Sequence, residues 1–313
     1  MVVTGPTASG KTPLALALAE RFDGEIVNAD SMQVFRFMDI GTAKPSAEER
    51  ARVPHHLIDV VDPDHPYSAG RYARDARAAI ARIHARRRLP LLVGGTGLYI
   101  RAVLHGLIAD AEPDPQLRDE LEAEQARAAR EGDPTRLHRR LAEADPEAAG
   151  RIHPHDARRT VRALEIAAQT GARASQVRGQ HAFDDSPYRV LHLALDLERE
   201  ALYARIDARC RRMIDGGLLQ EVRRLRERGY GSGLRPMGAI GYRHLGAVAD
   251  GADTLANAFE AMCRDTRHFA RRQLTWLRKV PDVVWVDPED VDGLAARIEK
   301  FLAEGEDAAQ PEL

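Results

Sequence analysis

Eight consecutive residues near the start of the chain have the types and spacing of a phosphate-binding loop. The run Gly5-Pro6-Thr7-Ala8-Ser9-Gly10-Lys11-Thr12 fits G-x-x-x-x-G-K-[ST] at every fixed position. Its glycines let backbone N–H groups point inward, and the helix that follows presents the positive end of its dipole. Lys11 adds a mobile positive charge, and the Thr12 hydroxyl can bind Mg²⁺. The loop predicts a diphosphate-like ligand, which leaves kinases, NTPases and diphosphate-releasing transferases open.

Two further groups of side chains could take part in the chemistry. Asp30 follows the second predicted strand, at the edge where parallel sheets place their ligands. It is therefore a leading candidate for a catalytic carboxylate, and the alternative is a turn or helix cap formed with Ser31. Arg205 and Arg209 are spaced i, i+4 on a predicted helix and could clamp a diphosphate. A solvated helix face is the alternative for this pair.

The elements that position these residues alternate in type. A strand at Val2–Thr4, a helix from Lys11 to Phe22 and strands at Glu25–Ala29, His55–Val61 and Leu91–Val93 predict a parallel sheet flanked by helices. Only Met1–Thr4 precede the loop, fewer than the ~5–6 residues of an average strand. We therefore expect the natural chain to start further upstream.

The middle of the chain differs in character. Short charged helices, broken at proline-containing turns, replace the strands, and a strand pattern returns only at Arg189–Asp196. The sequence predicts an α/β fold with a P-loop NTPase-like core, residues 1–111 and 187–313. An all-helical insertion domain, residues 112–186, interrupts that core. His55-His56 resembles a metal pair, but adjacent strand residues point to opposite faces, which favours a structural role.

Composition limits the class of protein. The 313 residues carry a net charge of −2 and contain two cysteines, Cys210 and Cys263, without a partner motif, so a zinc site or disulfide framework is not expected. No run approaches the ~20 apolar residues of a membrane helix. We expect a cytoplasmic protein without membrane attachment. Because arginine exceeds lysine throughout the chain, arginine clusters alone do not establish nucleic-acid binding.

Motifs along nearly the whole chain resemble those of the bacterial tRNA dimethylallyltransferases. Besides Gly5–Thr12, they are Asn28-Ala29-Asp30-Ser31-Met32-Gln33-Val34-Phe35, Met38-Asp39-Ile40-Gly41-Thr42-Ala43-Lys44-Pro45, His55-His56-Leu57-Ile58-Asp59, Gly94-Gly95-Thr96-Gly97-Leu98-Tyr99, Ile152-His153-Pro154-His155-Asp156, Gly238-Ala239-Ile240-Gly241-Tyr242-Arg243 and Thr266–Trp276. The phosphate loop is common among proteins, but the set in this order is highly specific.

The resemblance implies a reaction and its participants. A dimethylallyl group would pass from dimethylallyl diphosphate to the exocyclic N6 of adenosine 37, beside the anticodon of tRNA, and diphosphate would leave. The family relation implies that Asp30 is the general base, that Thr96 and Lys11 are catalytic, and that Mg²⁺ is the cofactor, bound by Thr12. The predicted partners are the tRNA anticodon stem-loop and dimethylallyl diphosphate, and a monomer is expected.

The same resemblance implies a set of tRNA contacts in both parts of the chain. They are Asp30, Ser31, Met32, Gln33, Thr96, Arg118, Arg158, Arg159, Thr160, Val161, Arg162, Gly238, Ala239, Ile240, Gly241, Tyr242 and Arg243. For Arg158, Arg159 and Arg162 the alternative is pairing with acidic neighbours such as Asp156 and Glu165.

Three other functions could use the same loop. An adenylate prenyltransferase would take a free nucleotide as acceptor, but it would not need a long helical insertion. A P-loop nucleotide kinase would consume ATP, and the sequence has no segment resembling a kinase lid with catalytic arginines. A non-catalytic RNA-binding NTPase would show nucleotide-dependent affinity for RNA and form no prenylated product.

Overall fold

A computed structural model of the protein describes residues 1–106, 114–180 and 187–307. The chain divides into two compact units, one of Met1–Val103 with Tyr188–Leu313 and one of Leu104–Pro187. The predicted boundaries at 111–112 and 186–187 fall at segments 107–113 and 181–186, which lie outside the described residues. The division proposed from the sequence therefore stays a prediction, and each unit is described by itself.

One sheet of six parallel strands forms the centre of the first unit, in the order β3-β2-β4-β1-β5-β6. The strands are β1 (Val2–Thr4), β2 (Gly24–Asn28), β3 (His55–His56), β4 (Leu89–Val93), β5 (His192–Leu195) and β6 (Val284–Val286). Because all strands run in the same direction, the loops after their carboxyl ends meet at one edge of the sheet. The predicted α/β class with a parallel sheet is confirmed.

Helices make up most of the remaining chain. Before the second unit they are α1 (Lys11–Arg21), α2 (Ala47–Arg52), α3 (Ala69–Ala85) and α4 (Gly97–His105); the second unit has α5 (Pro115–Arg130), α6 (Arg136–Ala144), α7 (Pro146–Arg151), α8 (Ala157–Thr170) and α9 (Ala174–Gln180); the first unit resumes with α10 (Arg199–Asp215), α11 (Leu218–Glu227), a 3₁₀ turn (Arg235–Gly238), α12 (Tyr242–Ala249), α13 (Leu255–Leu277) and α14 (Val291–Asp307). Among the described residues, no helix is long and apolar enough to cross a membrane.

The core of the first unit packs the strands that lead to the sheet edge against α1. Val3, Leu91 and Leu193 from three neighbouring strands are fully buried against Leu14 and Leu18 of α1. Removing such side chains from water stabilises the fold by roughly 1.5–3 kcal/mol each. The phosphate loop leaves β1 and enters α1, so both of its ends are fixed in this core.

The second unit has a separate apolar core. Leu137 and Leu141 of α6 are fully buried and pack with Val161 and Leu164 of α8 and with Leu121 of α5. The described residues of this unit, 104–106, 114–180 and Pro187, contain helices and turns but no strand. This agrees with the predicted helical character of the segment.

The strand predicted at His55–Val61 is shorter than expected. Only His55–His56 pairs with β2, and Val61 forms an isolated bridge with Phe35. Leu57 and Asp59 have positive φ angles of 63° and 56°, which are incompatible with extended backbone. The apolar residues of this stretch predict one continuous strand, because the left-handed residues between them leave no clear sequence signal.

Candidate active site

The phosphate loop, Gly5–Thr12, ends at an uncapped helix start. Gly10 is the N-cap of α1 at a φ of 96°, a left-handed conformation that glycine adopts without strain, and no side chain caps the helix. The N–H groups at the start of the helix therefore lack a side-chain acceptor. Together with the helix dipole, they form a binding site for an anion.

Lys11 and Ser9 place two hydrogen-bond donors inside the phosphate loop. The Lys11 Nζ donates hydrogen bonds to the carbonyls of Gly5 (3.0 Å) and Pro6 (2.7 Å). Burial, and to a smaller extent the charge of Arg209, lower the pKa of Lys11 to about 7, while the charge of Asp30 opposes this shift. The Ser9 hydroxyl is buried and has no hydrogen-bond partner among the described residues. An anion in the loop would offer acceptors to both side chains.

The loop opens into a cavity of about 380 Å³. Its lining combines the phosphate loop with the edge of the sheet and with one face of α10; the residues include Thr7, Ala8, Ser9, Gly10, Lys11, Thr12, Asn28, Asp30, Gln33, Gly94, Gly95, Arg205, Arg209, Arg212, Phe269 and Gln273. Three predicted groups, the phosphate loop, Asp30 and the arginine pair, are thus brought together. The Thr12 hydroxyl is the oxygen ligand that this loop offers a hard cation, and Mg²⁺ usually takes its other ligands from phosphates and water.

Asp30 lies at the carboxyl end of β2 in a fixed turn. Its N–H donates to the Asn28 Oδ1 (3.1 Å), and the Asn28 Nδ2 donates to the Asp30 carbonyl (3.2 Å). One carboxylate oxygen, Oδ1, accepts the Met32 N–H at 2.8 Å. The Asp30 side chain thus caps this turn and also lines the cavity, and its catalytic role stays a prediction.

Thr96 is joined to the Asp30 segment although it does not line the cavity itself. Its Oγ1 accepts the Ser31 N–H at 3.0 Å and lies 3.3 Å from the Ser31 hydroxyl. Its N–H donates to the Ala29 carbonyl at 3.1 Å. At Gly94, an added Cβ would lie 2.3 Å from that carbonyl, so only glycine lets the two segments approach so closely.

The arginine pair on α10 differs in environment. Arg209 is half-buried, burial lowers its pKa, and its Nη2 lies 3.5 Å from the Thr42 carbonyl. Arg205 is exposed and lies 3.3 Å from Glu289, which is itself exposed. The solvated-face alternative fits Arg205 better, while Arg209 is the better candidate for a diphosphate clamp.

A second depression, of about 470 Å³, lies beyond Arg205. Asp196, Glu198, Asp287 and Glu289 contribute four carboxyl groups to its lining. These negative charges would repel a diphosphate, so the first cavity is the better candidate for a diphosphate site.

Glu221 is a structurally important residue that the sequence analysis missed. It is buried and accepts the N–H groups of Asp39 (3.0 Å), Ile40 (2.8 Å) and Gly41 (3.1 Å), and it also accepts the Tyr242 hydroxyl at 2.7 Å. It thereby fixes the segment that leads to Thr42 and Ala43. A signal existed in the sequence, since this glutamate interrupts the apolar face of α11 formed by Leu218, Val222 and Leu225.

Other predicted tRNA contacts in the first unit have varied environments. The Gln33 Nε2 donates to the Thr42 and Ala43 carbonyls, both at 3.2 Å, and its side chain lines the cavity. Tyr242 is fully buried, whereas Arg243 is exposed and forms a 2.6 Å ion pair with Asp265. These placements leave their proposed contacts with tRNA as predictions.

In the second unit, the predicted arginine contacts are partly occupied. Glu165 is fully buried and lies 2.5 Å from Arg118 and 2.9 Å from Arg162. Arg159 lies 3.4 Å from Asp156 but is largely exposed, and Arg158 is exposed. Thr160 and Val161 are buried. Pairing with an acidic neighbour, the alternative to tRNA contact, therefore accounts well for Arg162. It accounts least well for the exposed Arg158.

The two adjacent histidines do not face each other. The His56 Nε2 lies 2.6 Å from Glu25, and the His55 Nδ1 lies 2.7 Å from the Val53 carbonyl. The structural role favoured by the sequence agrees with these contacts.

The chain is similar to known proteins over most of its length. A family model described as IPP transferase matches residues 33–280. A tRNA dimethylallyltransferase from Anaeromyxobacter dehalogenans is 53% identical, with 96% of this chain and 99% of that protein aligned. A tRNA isopentenylpyrophosphate transferase structure from Bacillus halodurans has a TM-score of 0.72 and 40% identity, covering 98% of this chain and 97% of that one.

A further solved structure, a eukaryotic dimethylallyltransferase acting on tRNA, has a TM-score of 0.78 and 28% identity. The similarity covers 99% of this chain and 79% of that chain. The family relation predicted from the motifs is confirmed by these matches. The chain therefore belongs to the IPP transferase family, and its bacterial relatives are named tRNA dimethylallyltransferases.

Proposed function

We propose that the protein transfers the dimethylallyl group of dimethylallyl diphosphate to the exocyclic N6 of adenosine 37 in tRNA and releases diphosphate. The observation that carries the proposal is one cavity that combines a phosphate loop, the half-buried cations Lys11 and Arg209 and the Asp30 carboxylate. The names of the relatives supply the donor and the acceptor classes. The anticodon stem-loop, a cytoplasmic location and a monomeric state belong to the same proposal.

The donor's diphosphate would lie in the phosphate loop. Negative charge grows on it as the allylic C–O bond breaks, and the loop N–H groups, Lys11 and Arg209 are aimed at that charge. Mg²⁺ bound by the Thr12 hydroxyl and phosphate oxygens would add positive charge at the same place. Removing one preorganised hydrogen-bond donor of this kind raises the activation free energy by about 3–4 kcal/mol.

The acceptor's amine would approach from the side of Asp30. The amine is a weak nucleophile because its lone pair is delocalised into the purine ring. A carboxylate oxygen within hydrogen-bond reach accepts its proton as the new C–N bond forms. Since the Oδ1 of Asp30 already accepts the Met32 N–H, the Oδ2 is the oxygen assigned to the amine. The adenosine must leave its stack to reach this carboxylate.

The test is incubation with dimethylallyl diphosphate, Mg²⁺ and unmodified tRNA, without ATP, followed by mass spectrometry of the nucleosides. We expect dimethylallyl-adenosine in the tRNA. Asp30→Ala should lower turnover by roughly 10²–10⁴-fold while donor binding survives. Lys11→Ala should weaken donor binding and turnover together. A prenylated free nucleotide without prenylated tRNA, or a strict need for ATP, would overturn the proposal.

A further inference from the structure

Gln273 of α13 joins the phosphate loop to the loop after β4. Its Oε1 accepts the Thr7 N–H at 2.8 Å, and its Nε2 donates to the Gly95 carbonyl at 3.0 Å. The side chain is buried and lines the cavity. Both ends of one rigid amide are thus used, each on a different loop.

The contact continues to the catalytic carboxylate. Gly95 precedes Thr96, and Thr96 is hydrogen-bonded to Ser31, the neighbour of Asp30. A short path of covalent and hydrogen bonds therefore leads from the loop that would hold the donor to the edge that would receive the acceptor. Gln273 is the side chain in this path that connects the two halves.

The packing leaves little freedom at this contact. A Cβ at Gly95 would lie 2.2 Å from the Gln273 Nε2, and a Cβ at Gly97 would lie 2.5 Å from the Trp276 ring. Gln273 and Trp276 are spaced i, i+3 on α13, so they share one face of that helix. Two side chains of one long helix therefore hold the β4 loop closely, and one of them also holds the phosphate loop.

The direction of the Thr7 N–H is also informative. Amides of a phosphate loop ordinarily point toward the anion, but this one donates to Gln273. The Thr7 N–H is therefore engaged by the protein itself, and its bond to Gln273 fixes the position of the phosphate loop rather than the affinity for the diphosphate. The Gln273 Nε2 simultaneously fixes the carbonyl of Gly95.

We propose that Gln273 is a positioning residue that sets the separation between the donor's allylic carbon and the acceptor's amine. The inference rests on the proposed function. Group transfer needs the reacting atoms about 3–3.5 Å apart, and a misplacement of about 1 Å lowers the rate by as much as 10²-fold. A side chain that bridges the two substrate-holding loops controls this distance without touching either reacting atom.

Two near-isosteric substitutions test the bridge. Gln273→Met removes both hydrogen bonds, whereas Gln273→Glu keeps the acceptor for Thr7 and places a carboxylate oxygen against the Gly95 carbonyl. We expect both to lower the single-turnover rate at saturating substrates by about 10–100-fold. The dissociation constants of dimethylallyl diphosphate and of tRNA, measured separately, should stay within about threefold. Thr275→Ala, an exposed position on the same helix, is the matched control and should leave the rate unchanged.

The pH dependence adds a readout that a purely structural role would not move. The carboxyl introduced by Gln273→Glu can donate to the Gly95 carbonyl only when it is protonated. Burial at position 273 raises the pKa of the introduced carboxyl above the ~4.3 of a free glutamate. The ratio of the variant's rate to the wild-type rate should therefore rise as the pH falls from about 8 to about 6.

Three results would overturn the inference. The first is an unchanged single-turnover rate in folded Gln273→Met. The second is a lower melting temperature with a normal rate in the surviving folded protein. The third is weaker donor binding with a normal rate at saturation, which would make Gln273 a binding residue. Absence of product from the wild-type protein would instead refute the proposed function and, with it, this inference.

Discussion

Two helices carry arginines at the same i, i+4 spacing, yet their surroundings differ. Arg205 and Arg209 of α10 line a cavity with Lys11, whereas on α8 Arg158 is exposed and Arg162 is paired with a buried glutamate. On α10 the positive charges face a cavity, whereas on α8 the positive charge of Arg162 is paired with a carboxylate inside the protein. The comparison shows that arginine spacing identifies a shared helix face but not what that face binds.

The reason lies in the distance to the nearest carboxylate. Glu165 is fully buried and forms direct ion pairs with Arg118 and Arg162 within its own unit. Near Arg209, Asp30 contributes a single negative charge in a cavity that also contains Lys11. Charges interact more strongly where water is excluded. We therefore expect a diphosphate to be attracted more strongly to Arg209 than an RNA phosphate would be to Arg162.

Between these two regions, the largest effect is expected at the half-buried arginine of the cavity. Arg209→Met should lower kcat by about 10²–10³-fold, because it removes a fixed positive charge aimed at the leaving group. Arg205→Met is the matched variant on the same face and should lower kcat less than about tenfold, since Arg205 is exposed and near Glu289. The measurement is prenyl transfer at saturating donor and tRNA. A larger loss in Arg205→Met than in Arg209→Met would reverse the assignment of the clamp.

The contrasting region should respond in stability. Glu165→Gln should lower the free energy of unfolding by about 1–3 kcal/mol, because the charged hydrogen bond from Arg118 and the ion pair with Arg162 are lost. Thermal or denaturant unfolding measures the change. Glu147→Gln is the matched control, since Glu147 pairs with Arg151 at the surface, and it should have no measurable effect. Equal stability of the two variants would show that the buried pairing contributes little.

Lys11 predicts the pH dependence of donor binding. Its pKa is lowered to about 7, chiefly by burial, so the free protein loses this positive charge as the pH rises above that value. The dissociation constant of dimethylallyl diphosphate should therefore increase by up to about tenfold per pH unit between about pH 7.5 and 9. Calorimetric titration of the wild-type protein and of Lys11→Met, in which the dependence should disappear, provides the measurement. An equal dependence in both proteins would assign it to another group.

The smallest effect concerns salt dependence of tRNA binding. Arg158→Ala should flatten the slope of log affinity against log salt by about one unit, if Arg158 contacts a phosphate, and should leave the melting temperature unchanged. Arg162→Ala should lower the melting temperature and leave the slope unchanged, because Arg162 pairs with Glu165. Filter binding at several salt concentrations separates the two. A flatter slope in Arg162→Ala alone would place the phosphate contact on the paired arginine.

Much of the fold and the centre of the site could be predicted from the sequence, because their signals are local. The glycine pattern of Gly5–Thr12, the apolar strands and the position of Asp30 after a strand all follow from short-range rules. The strand at His55–Val61 was overestimated because the positive φ angles of Leu57 and Asp59 have no such signal.

The sequence by itself determined the family, the parallel α/β core and the residues that meet at one sheet edge, since parallel strands bring their carboxyl ends together. Only the tertiary structure decided how distant side chains are paired. Glu221 reaches the backbone of Asp39–Gly41, and Gln273 reaches Thr7 and Gly95. Spacing along a chain defines a helix face, but the partner across that face comes from another element whose distance in sequence is arbitrary. A buried polar group must find that partner because leaving it unpaired costs about 1–3 kcal/mol.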